Sequence, residues 1–299
     1  EISAKIVLDT RSSLCYNNPM ITSNLSHKMF YFPCGEMQVT VESITTTMVT
    51  VHFTFTKNDD IFELLLFCDA AKREGYRLDR LTMRYVPFSR QDRCNNPGEA
   101  FSLKVFCDLI NGLNFNTVLI QDPHSDVTPA LLNNCVVQNQ WELLAPLIRG
   151  FVKTPFYLVA PDAGALKKTH KLAQCLSQTL TASPRGKLAQ FSDNPKFLGV
   201  IESSKIRNTS TGEITGTVVH ASGLIRAVTQ GDQDIPITYV IADDICDGGR
   251  TFIELAKELR GMGAEKVHLY VTHGFFTKGK QVFDGIIDEV HSINERFKS

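Results

Sequence analysis

Short apolar runs alternate with amphipathic segments along most of the chain. The runs are continuously apolar rather than alternating with polar residues, as expected of parallel strands that are covered on both faces. They predict strands over residues 6–8, 48–55, 81–86, 117–120, 156–159, 197–201, 238–242 and 266–271. Apolar residues at helical spacing predict helices over residues 60–74, 101–113, 165–176 and 251–260. This dense alternation predicts an α/β fold with two mostly parallel sheets flanked by helices.

The length of the chain, 299 residues, is sufficient for two domains with separate cores. Two halves of similar make-up meet around residues 141–155. We therefore predict an N-terminal domain over residues 1–150 and a C-terminal domain over residues 151–299. The polar stretches 177–194 and 208–216 predict loops, and the second is a candidate mobile flap because it follows Lys205.

Composition excludes several classes of protein. Lysine and arginine number 31 against 32 acidic residues, so there is no global basic field to hold nucleic acid or an anionic membrane. No apolar run approaches the ~20 residues that span a bilayer. The eight cysteines include no pair at C-x-x-C spacing, which favours reduced thiols over a disulfide framework or a zinc ribbon. The first residues do not resemble a signal peptide, and we expect a cytoplasmic protein.

The segment 240–251 combines features suited to a sugar phosphate. An apolar strand is predicted to lead into Asp243 and Asp244, which can accept hydrogen bonds from two vicinal hydroxyls. Gly248 and Gly249 allow the backbone to approach a phosphate, and the following helix N-terminus offers free N–H groups. Thr251 can cap that helix or bond a phosphate oxygen. Ligands bind at the carboxyl ends of parallel strands, so we predict a sugar-phosphate site here rather than an acidic strand end followed by an ordinary glycine turn.

This segment resembles the ribose-5-phosphate motif of type I phosphoribosyltransferases and of ribose-phosphate diphosphokinases, also called PRPP synthetases. Further segments resemble the diphosphokinases in the same order along the chain: residues 31–36, 58–64, 85–93, 122–124, 160–164, 205–207 and 272–274. A simple phosphoribosyltransferase needs only one such domain. The resemblance therefore implies two type I phosphoribosyltransferase-like domains with an active site between them.

The resemblance also implies an enzyme that transfers the β,γ-diphosphate of ATP to the C1 hydroxyl of a phosphorylated ribose, with Mg²⁺ as cofactor. Phe32 and Glu36 would reach the adenine from a neighbouring subunit, which implies a homo-oligomer. The ATP contacts within the subunit would come from Arg90, Gln91, Arg93 and His124.

The remaining implied roles concern the metal, the transferred group and the sugar. His124 and Asp162 would ligate Mg²⁺, and Asp162, Ala163 and Gly164 would form the loop that receives the diphosphate. Lys205 and Arg207 would neutralise charge during the transfer. The ribose phosphate would be held by Asp243, Asp244, Asp247, Gly248, Gly249, Arg250 and Thr251. Taken singly, most of these residues could be surface charges or turn residues, and only their joint order carries the prediction.

Three departures from the family pattern bear on ATP binding and regulation. Cys34 stands in the place of an adenine-facing aspartate. Residues 94–98 replace the basic and small residues expected after Arg93. The sequence stops soon after residues 288–290, so we expect it to lack the segment that helps to form the family's phosphate and ADP regulatory site.

A fourth departure concerns the acceptor. The usual Thr-Gly-Gly-Thr cradle becomes residues 248–251, which lose one hydroxyl and gain the guanidinium of Arg250. An open cradle with an added cation suits a diphosphate diester such as ADP-ribose. The sequence is in this respect similar to the phage-type ADP-ribose pyrophosphate synthetases, which work in rebuilding NAD and would act in the host cytoplasm.

Three alternatives stay open. If Arg250 points to solvent, ribose 5-phosphate is the acceptor and the product is PRPP. A phosphoribosyltransferase that consumes PRPP is the enzymatic rival, and an inactive regulatory homologue is the rival from another class. Retention of His124, Asp162, Lys205 and Arg207 argues against an inactive homologue.

Overall fold

The computed structural model describes residues 20–42, 45, 47–178, 197–207, 214–220, 227–230 and 233–295. Within these ranges the helices are α1 (Asp59–Arg73), α2 (Ser102–Gly112), α3 (Val127–Leu131), α4 (Gln140–Phe151), α5 (Leu166–Gln178) and α6 (Arg250–Gly261), and a 3-10 helix spans Lys280–Phe283. The strands are β1 (Ile21–Ser23), β2 (His27–Tyr31), β3 (Met37–Val41), β4 (Met48–Phe53), β5 (Arg77–Met83), β6 (Thr117–Gln121), β7 (Cys135–Gln138), β8 (Phe156–Ala160), β9 (Phe197–Arg207), β10 (Ile214–His220), β11 (Ala227–Gln230), β12 (Gln233–Pro236), β13 (Thr238–Cys246), β14 (Lys266–Gly274) and β15 (Glu289–Glu295).

The first sheet has the strand order β1-β4-β5-β6-β7. Strands β4 to β7 are parallel and β1 is an antiparallel edge strand. Val51, Leu81 and Val118 lie side by side in neighbouring strands and are buried. They pack in one core with Phe67 of α1 and Phe106 of α2. The apolar stripes of the two helices therefore cover this face of the sheet.

The second sheet has the order β10-β9-β8-β13-β14-β15 and is parallel except for the edge strand β10. Successive side chains of a strand point to opposite faces. Val240 accordingly packs in a core with Leu172 of α5, and Ile241 packs in another with Leu255 of α6. Helices on both faces explain why this strand is continuously apolar. The predicted α/β class with two mostly parallel, helix-flanked sheets is confirmed.

The predicted helices lie within two residues of the observed ones, but several strand predictions were wrong at their ends. Strand β5 begins four residues before the predicted 81–86 and ends at Met83. Strand β13 continues past the predicted 238–242 to Cys246, so that Asp243 and Asp244 lie inside it. Strand β9 extends from the predicted 197–201 to Arg207 and pairs with β10, which includes part of the predicted loop 208–216. The predicted strand 6–8 and most of the loop 177–194 lie outside the described residues.

Helix α4 packs in the same core as α5, on one face of the second sheet. Its buried residues Leu144 and Ile148 pack with Phe156 of β8 and with α5. Its start is fixed by a capping box, in which the Asn139 backbone N–H donates to Glu142 Oε2 at 2.6 Å. A domain boundary near residue 150 would fall inside this helix, and we propose that the second domain begins with α4. None of the helices in the described part of the chain is long and apolar enough to cross a membrane.

Candidate active site

The two adjacent carboxylates lie near the carboxyl end of β13, which runs between the parallel strands β8 and β14. Asp244 is buried and Asp243 is partly buried. The Asp244 backbone N–H donates to Asp243 Oδ1 at 2.9 Å. Burial raises the pKa of Asp243 well above its usual value, and the charges of Asp244 and Asp162 add to the effect.

Asp244 receives two hydrogen-bond donors from other elements. His124, in the loop after β6 of the first domain, has its Nδ1 atom 2.7 Å from Asp244 Oδ2. Lys168 Nζ of α5 lies 3.3 Å from the same oxygen. Burial alone would raise the pKa of Asp244, but His124 and Lys168 outweigh it and hold that pKa below its usual range. The predicted ATP-side histidine and the predicted ribose-side carboxylate are therefore in direct contact across the two domains.

Lys168 is a site residue that the sequence analysis missed. Its ammonium donates to Asp122 Oδ1 and to the Pro123 carbonyl, both at 2.8 Å, in addition to Asp244. Burial lowers the pKa of Lys168, but the charges of Asp244 and Asp122 hold it above its usual value. One signal was present in the sequence. Lys167 and Lys168 lie in the first turn of α5, where cations are unfavourable next to the positive end of the helix dipole, so a compensating anion could have been sought.

Asp122 anchors the same loop to the second domain. Its buried carboxylate accepts hydrogen bonds from Lys168, from Gln140 Nε2 and from Thr272 Oγ1. Its backbone has φ of 39°, which is uncommon for a residue other than glycine. Three donors from α4, α5 and β14 therefore hold the residues that precede His124 in place.

The predicted diphosphate loop connects β8 to α5. Asp162 Oδ1 accepts the Ala165 backbone N–H at 3.0 Å, which ties the loop to the start of the helix. A Cβ atom at Gly164 would lie 3.2 Å from the same oxygen, so the tight turn favours glycine. Ala163 lies between them and is exposed. Strand β8 pairs with β13 as far as Val159 and Ile241, so the loop leaves β8 beside the strand end that carries the carboxylate pair.

The glycine pair lies at the start of α6. Gly249 has φ of 77°, and a Cβ atom there would lie 2.6 Å from the Phe283 ring. The helix begins at Arg250, so Thr251 lies inside the first turn rather than before it. The aliphatic chain of Lys278 lies 3.6 Å from the position of a Cβ atom on Gly248. Lys278 therefore places a second cation beside the glycines, which the sequence analysis did not anticipate.

The loop that carries Lys278 is bound to the strand end before the glycines. The backbone N–H groups of Phe275 and Thr277 donate to the carbonyls of Cys246 and Asp247, at 2.8 Å and 3.1 Å. Thr277 Oγ1 also donates to Asp247 Oδ1 at 2.8 Å. Asp247 thus holds this loop, in addition to the ribose-phosphate role predicted for it.

Three of the predicted ATP contacts, Arg90, Gln91 and Arg93, lie between β5 and α2. Arg90 Nη1 is 3.2 Å from Asp247 Oδ2, and both side chains are about half exposed. Arg93 pairs with Asp92 at 2.7 Å; this hydrogen bond lowers the pKa of Asp92 to about 2 against the effect of burial. Gln91 is exposed. Of these residues, the structure brings Arg90 into contact with the sugar-phosphate side of the site.

Phe32 and Glu36 lie in the turn of the β2–β3 hairpin, where the Phe32 N–H donates to the Glu36 carbonyl at 2.8 Å. Both side chains are exposed. Within the described residues, no hydrogen bond, ion pair or ring contact joins this turn to the cluster around Asp244. A role in binding ATP from a neighbouring subunit stays a prediction.

Lys205 and Arg207 lie in β9, where their backbones pair with Thr217 and Ile214 of β10. Their side chains lie outside the described part of the structure. Pairing of β9 with β8 ends at Ala160 and Glu202. The backbone of Lys205 therefore extends beyond the end of β8, on the side from which the diphosphate loop starts.

A metal site composed only of side chains is absent from the described residues, since no group of three histidine, cysteine or acidic side chains there could hold an ion. Of the two implied ligands, Asp162 offers a carboxylate oxygen of the kind that Mg²⁺ usually takes, together with water and phosphate oxygens. His124 has the carboxylate partner typical of ligating histidines, because Asp244 accepts from Nδ1 and leaves Nε2 available. His124 and Asp162 could hold the ion together with bound phosphates.

Comparison with known proteins identifies the relatives of this chain. The family model for the N-terminal domain of ribose phosphate pyrophosphokinase matches residues 18–113. The ribose-phosphate pyrophosphokinase of Pyrococcus furiosus is 27% identical over 253 residues, which cover 83% of this chain and 77% of the relative. The chain is a distant homologue of the ribose-phosphate pyrophosphokinases. The enzyme of that name from Mycoplasmopsis pulmonis is 24% identical over 235 residues, or 78% of this chain, and the match spans 64% of the length of that relative.

A solved structure supports the fold. The phosphoribosylpyrophosphate synthetase of Mycobacterium smegmatis superposes with a TM-score of 0.62 at 20% identity, covering 84% of this chain and 73% of that chain. The α/β fold with two mostly parallel, helix-flanked sheets is therefore shared with that synthetase.

Proposed function

We propose that this protein is an ATP-dependent diphosphokinase that acts on a 5-phosphorylated ribose. The observation that carries the proposal is the 2.7 Å contact between His124 and Asp244. It joins the segment expected to bind the metal–nucleotide to the segment expected to bind the sugar, and each segment comes from a different domain. The homology to ribose-phosphate pyrophosphokinases supports the same reaction class.

The proposed reaction is attack of the ribose C1 hydroxyl oxygen on the β-phosphorus of ATP. The new O–P bond forms while the bond from the β-phosphorus to the α,β-bridging oxygen breaks, so that AMP leaves and the hydroxyl proton is released. Asp243 and Asp244 would hold the ribose hydroxyls, and the glycine pair would receive the 5-phosphate. Lys205 and Arg207 would neutralise the charge on the group in transfer. Bound Mg²⁺ would supply further charge neutralisation on the phosphates.

We further propose ADP-ribose as the acceptor. Two cations flank the glycine pair, since Arg250 opens α6 and Lys278 packs beside Gly248. In the described part of the chain Lys278 makes no ion pair, whereas Lys280 pairs with Glu295. Two cations beside one phosphate cradle suit an acceptor that carries a second phosphate. The names of the relatives favour ribose 5-phosphate, which is the second candidate.

We also propose that the protein works as a homo-oligomer. The β2–β3 hairpin exposes consecutive large apolar side chains, Met29, Phe30, Tyr31 and Phe32, each between 41% and 48% exposed. Contiguous exposed apolar surface is characteristic of an interface. Phe32 and Glu36 are expected to contribute to the ATP site of a neighbouring subunit. We therefore propose that a second copy of the chain covers this surface.

The test is an analysis of the products of three reactions. Each contains Mg-ATP; the first has no acceptor, the second has ribose 5-phosphate and the third has ADP-ribose. We expect AMP and an acceptor heavier by one diphosphate to form in equal amounts. Asp244→Asn should lower the rate at which both products form at least ~10²-fold. Formation of AMP without any purine or pyrimidine base would exclude a phosphoribosyltransferase. If ATP binds but neither acceptor is modified, the inactive regulatory homologue is the better description. A product obtained only with ribose 5-phosphate would remove the ADP-ribose assignment and leave a PRPP synthetase.

A further inference from the structure

Lys168 is buried to a degree unusual for a lysine. Its side chain is 24% exposed, whereas that of its neighbour Lys167 is 73% exposed. An ammonium group has three donors. Here they face three acceptors from two domains, namely the carboxylates of Asp122 and Asp244 and the carbonyl of Pro123.

The position of this ammonium group links the two halves of the site. Asp244 Oδ2 accepts from both Lys168 and His124. The two other acceptors, Asp122 and Pro123, are the residues that immediately precede His124. Lys168 therefore restrains His124 in two ways. It binds the Asp244 carboxylate, which contacts the His124 ring, and it binds the two residues that precede His124 in the chain.

We propose that Lys168 is a positioning residue that couples the binding of nucleotide and ribose phosphate. The proposal rests on the proposed function, in which His124 serves the metal–nucleotide and Asp244 serves the ribose. Each ligand orders one partner of the His124–Asp244 contact, and Lys168 transmits that order to the other partner. Either ligand should therefore bind more tightly when the other is present.

The alternative is that Lys168 only holds the domains together. Asp122 keeps hydrogen bonds to Gln140 and Thr272 without it, so the domains have other polar contacts. A purely structural lysine would change the melting temperature and leave the thermodynamic coupling between the ligands unchanged. The coupling factor is therefore the readout that separates the two roles.

The experiment measures calorimetric dissociation constants for Mg-α,β-methylene-ATP and for each candidate acceptor, ADP-ribose and ribose 5-phosphate. Each constant is measured alone and with the acceptor or the nucleotide, respectively, saturating. We compare the wild type with Lys168→Met and with Lys167→Met. The second variant is a matched control, because Lys167 also reaches the loop after β6, through an exposed pair with Asp126 at 2.7 Å. Couplings between two ligand sites are typically about 5- to 150-fold; Lys168→Met should lose most of the wild-type coupling factor, and only what the direct His124–Asp244 contact transmits should remain. Lys167→Met should stay within about twofold of the wild type, as expected for an exposed ion pair.

A further variant keeps the test decisive if Lys168→Met does not fold. Lys168→Arg keeps the positive charge but cannot bring one nitrogen to all three acceptors, so we expect a wild-type melting temperature and a coupling factor reduced at least threefold. Wild-type coupling in a folded Lys168 variant, or a wild type without coupling, overturns the inference while leaving the proposed function intact. If the wild type binds neither ligand, the proposed function fails and this inference fails with it.

Discussion

The glycine pair offers a prediction in which two neighbouring positions should respond in opposite ways. Gly249 has φ of 77°, a conformation that costs an L-residue about 1–2 kcal/mol. An alanine Cβ there would also lie 2.6 Å from the Phe283 ring, and overpacking of a core typically costs about 1–3 kcal/mol. Gly249→Ala should therefore destabilise the second domain by about 2–5 kcal/mol. Gly248→Ala meets only the Lys278 chain at 3.6 Å, an ordinary contact, and should change stability by less than about 1 kcal/mol.

Urea unfolding monitored by tryptophan fluorescence measures this difference directly. The chain has one tryptophan, Trp141 in α4, and it packs against the core of the second domain. With a slope of about 1–3 kcal/mol per molar urea, the Gly249→Ala midpoint should fall by about 0.7 M or more. The double variant Gly249→Ala/Phe283→Leu should recover part of the loss, because the contact is relieved and the backbone strain is retained. Equal midpoints for the two single alanine variants would refute this account of the glycine pair.

The remaining predictions concern activity and assembly. Asp244→Asn should lower kcat/KM at least ~10²-fold for ribose 5-phosphate and ADP-ribose alike, since their ribose hydroxyls are the same; an effect on one acceptor alone would contradict the assigned role. Arg250→Ala should lower kcat/KM for ADP-ribose roughly 10- to 100-fold and spare ribose 5-phosphate, and equal losses on both would argue for a plain PRPP synthetase. Lys205→Ala and Arg207→Ala should each lower kcat by ~10²-fold or more with an unchanged melting temperature, whereas near-wild-type turnover in both would remove them from the mechanism. Phe32→Ser should weaken the oligomer and raise the KM for ATP, measured by light scattering and initial rates at several protein concentrations; a fully active wild-type monomer would contradict the shared site.

Four of the six α-helices in the described residues could be predicted from the sequence because their signals are local, whereas α3 and α4 were not predicted. In α6, Phe252, Leu255, Ala256 and Leu259 recur at helical spacing and are all buried. The predicted end of β13 was wrong for the opposite reason. Asp243 and Asp244 are the kind of residues that usually end a strand, and nothing adjacent in the sequence indicates that their burial is compensated.

The compensation comes from residues that are far away in the chain. Lys168 and His124 reach Asp244 across separations of 76 and 120 residues. Periodicity and local motifs do not report contacts of this range, and Lys168 was therefore missed although the neighbouring segment at Asp162 was singled out. Family resemblance supplied the candidate ligands, but the contact between His124 and Asp244 became visible only in the folded chain.

The hydrogen bonds that join the strand end at Cys246 and Asp247 to Phe275 and Thr277 have a consequence for protein engineering. The loop with the glycine pair and the loop with Lys278 form one unit, so transplanting either loop alone into a homologue would break the contacts that shape it. Exchanging both loops together would not change Lys168, Asp122 or His124, because these residues lie in other segments of the chain. Redesign of the proposed acceptor site should therefore exchange the two loops together.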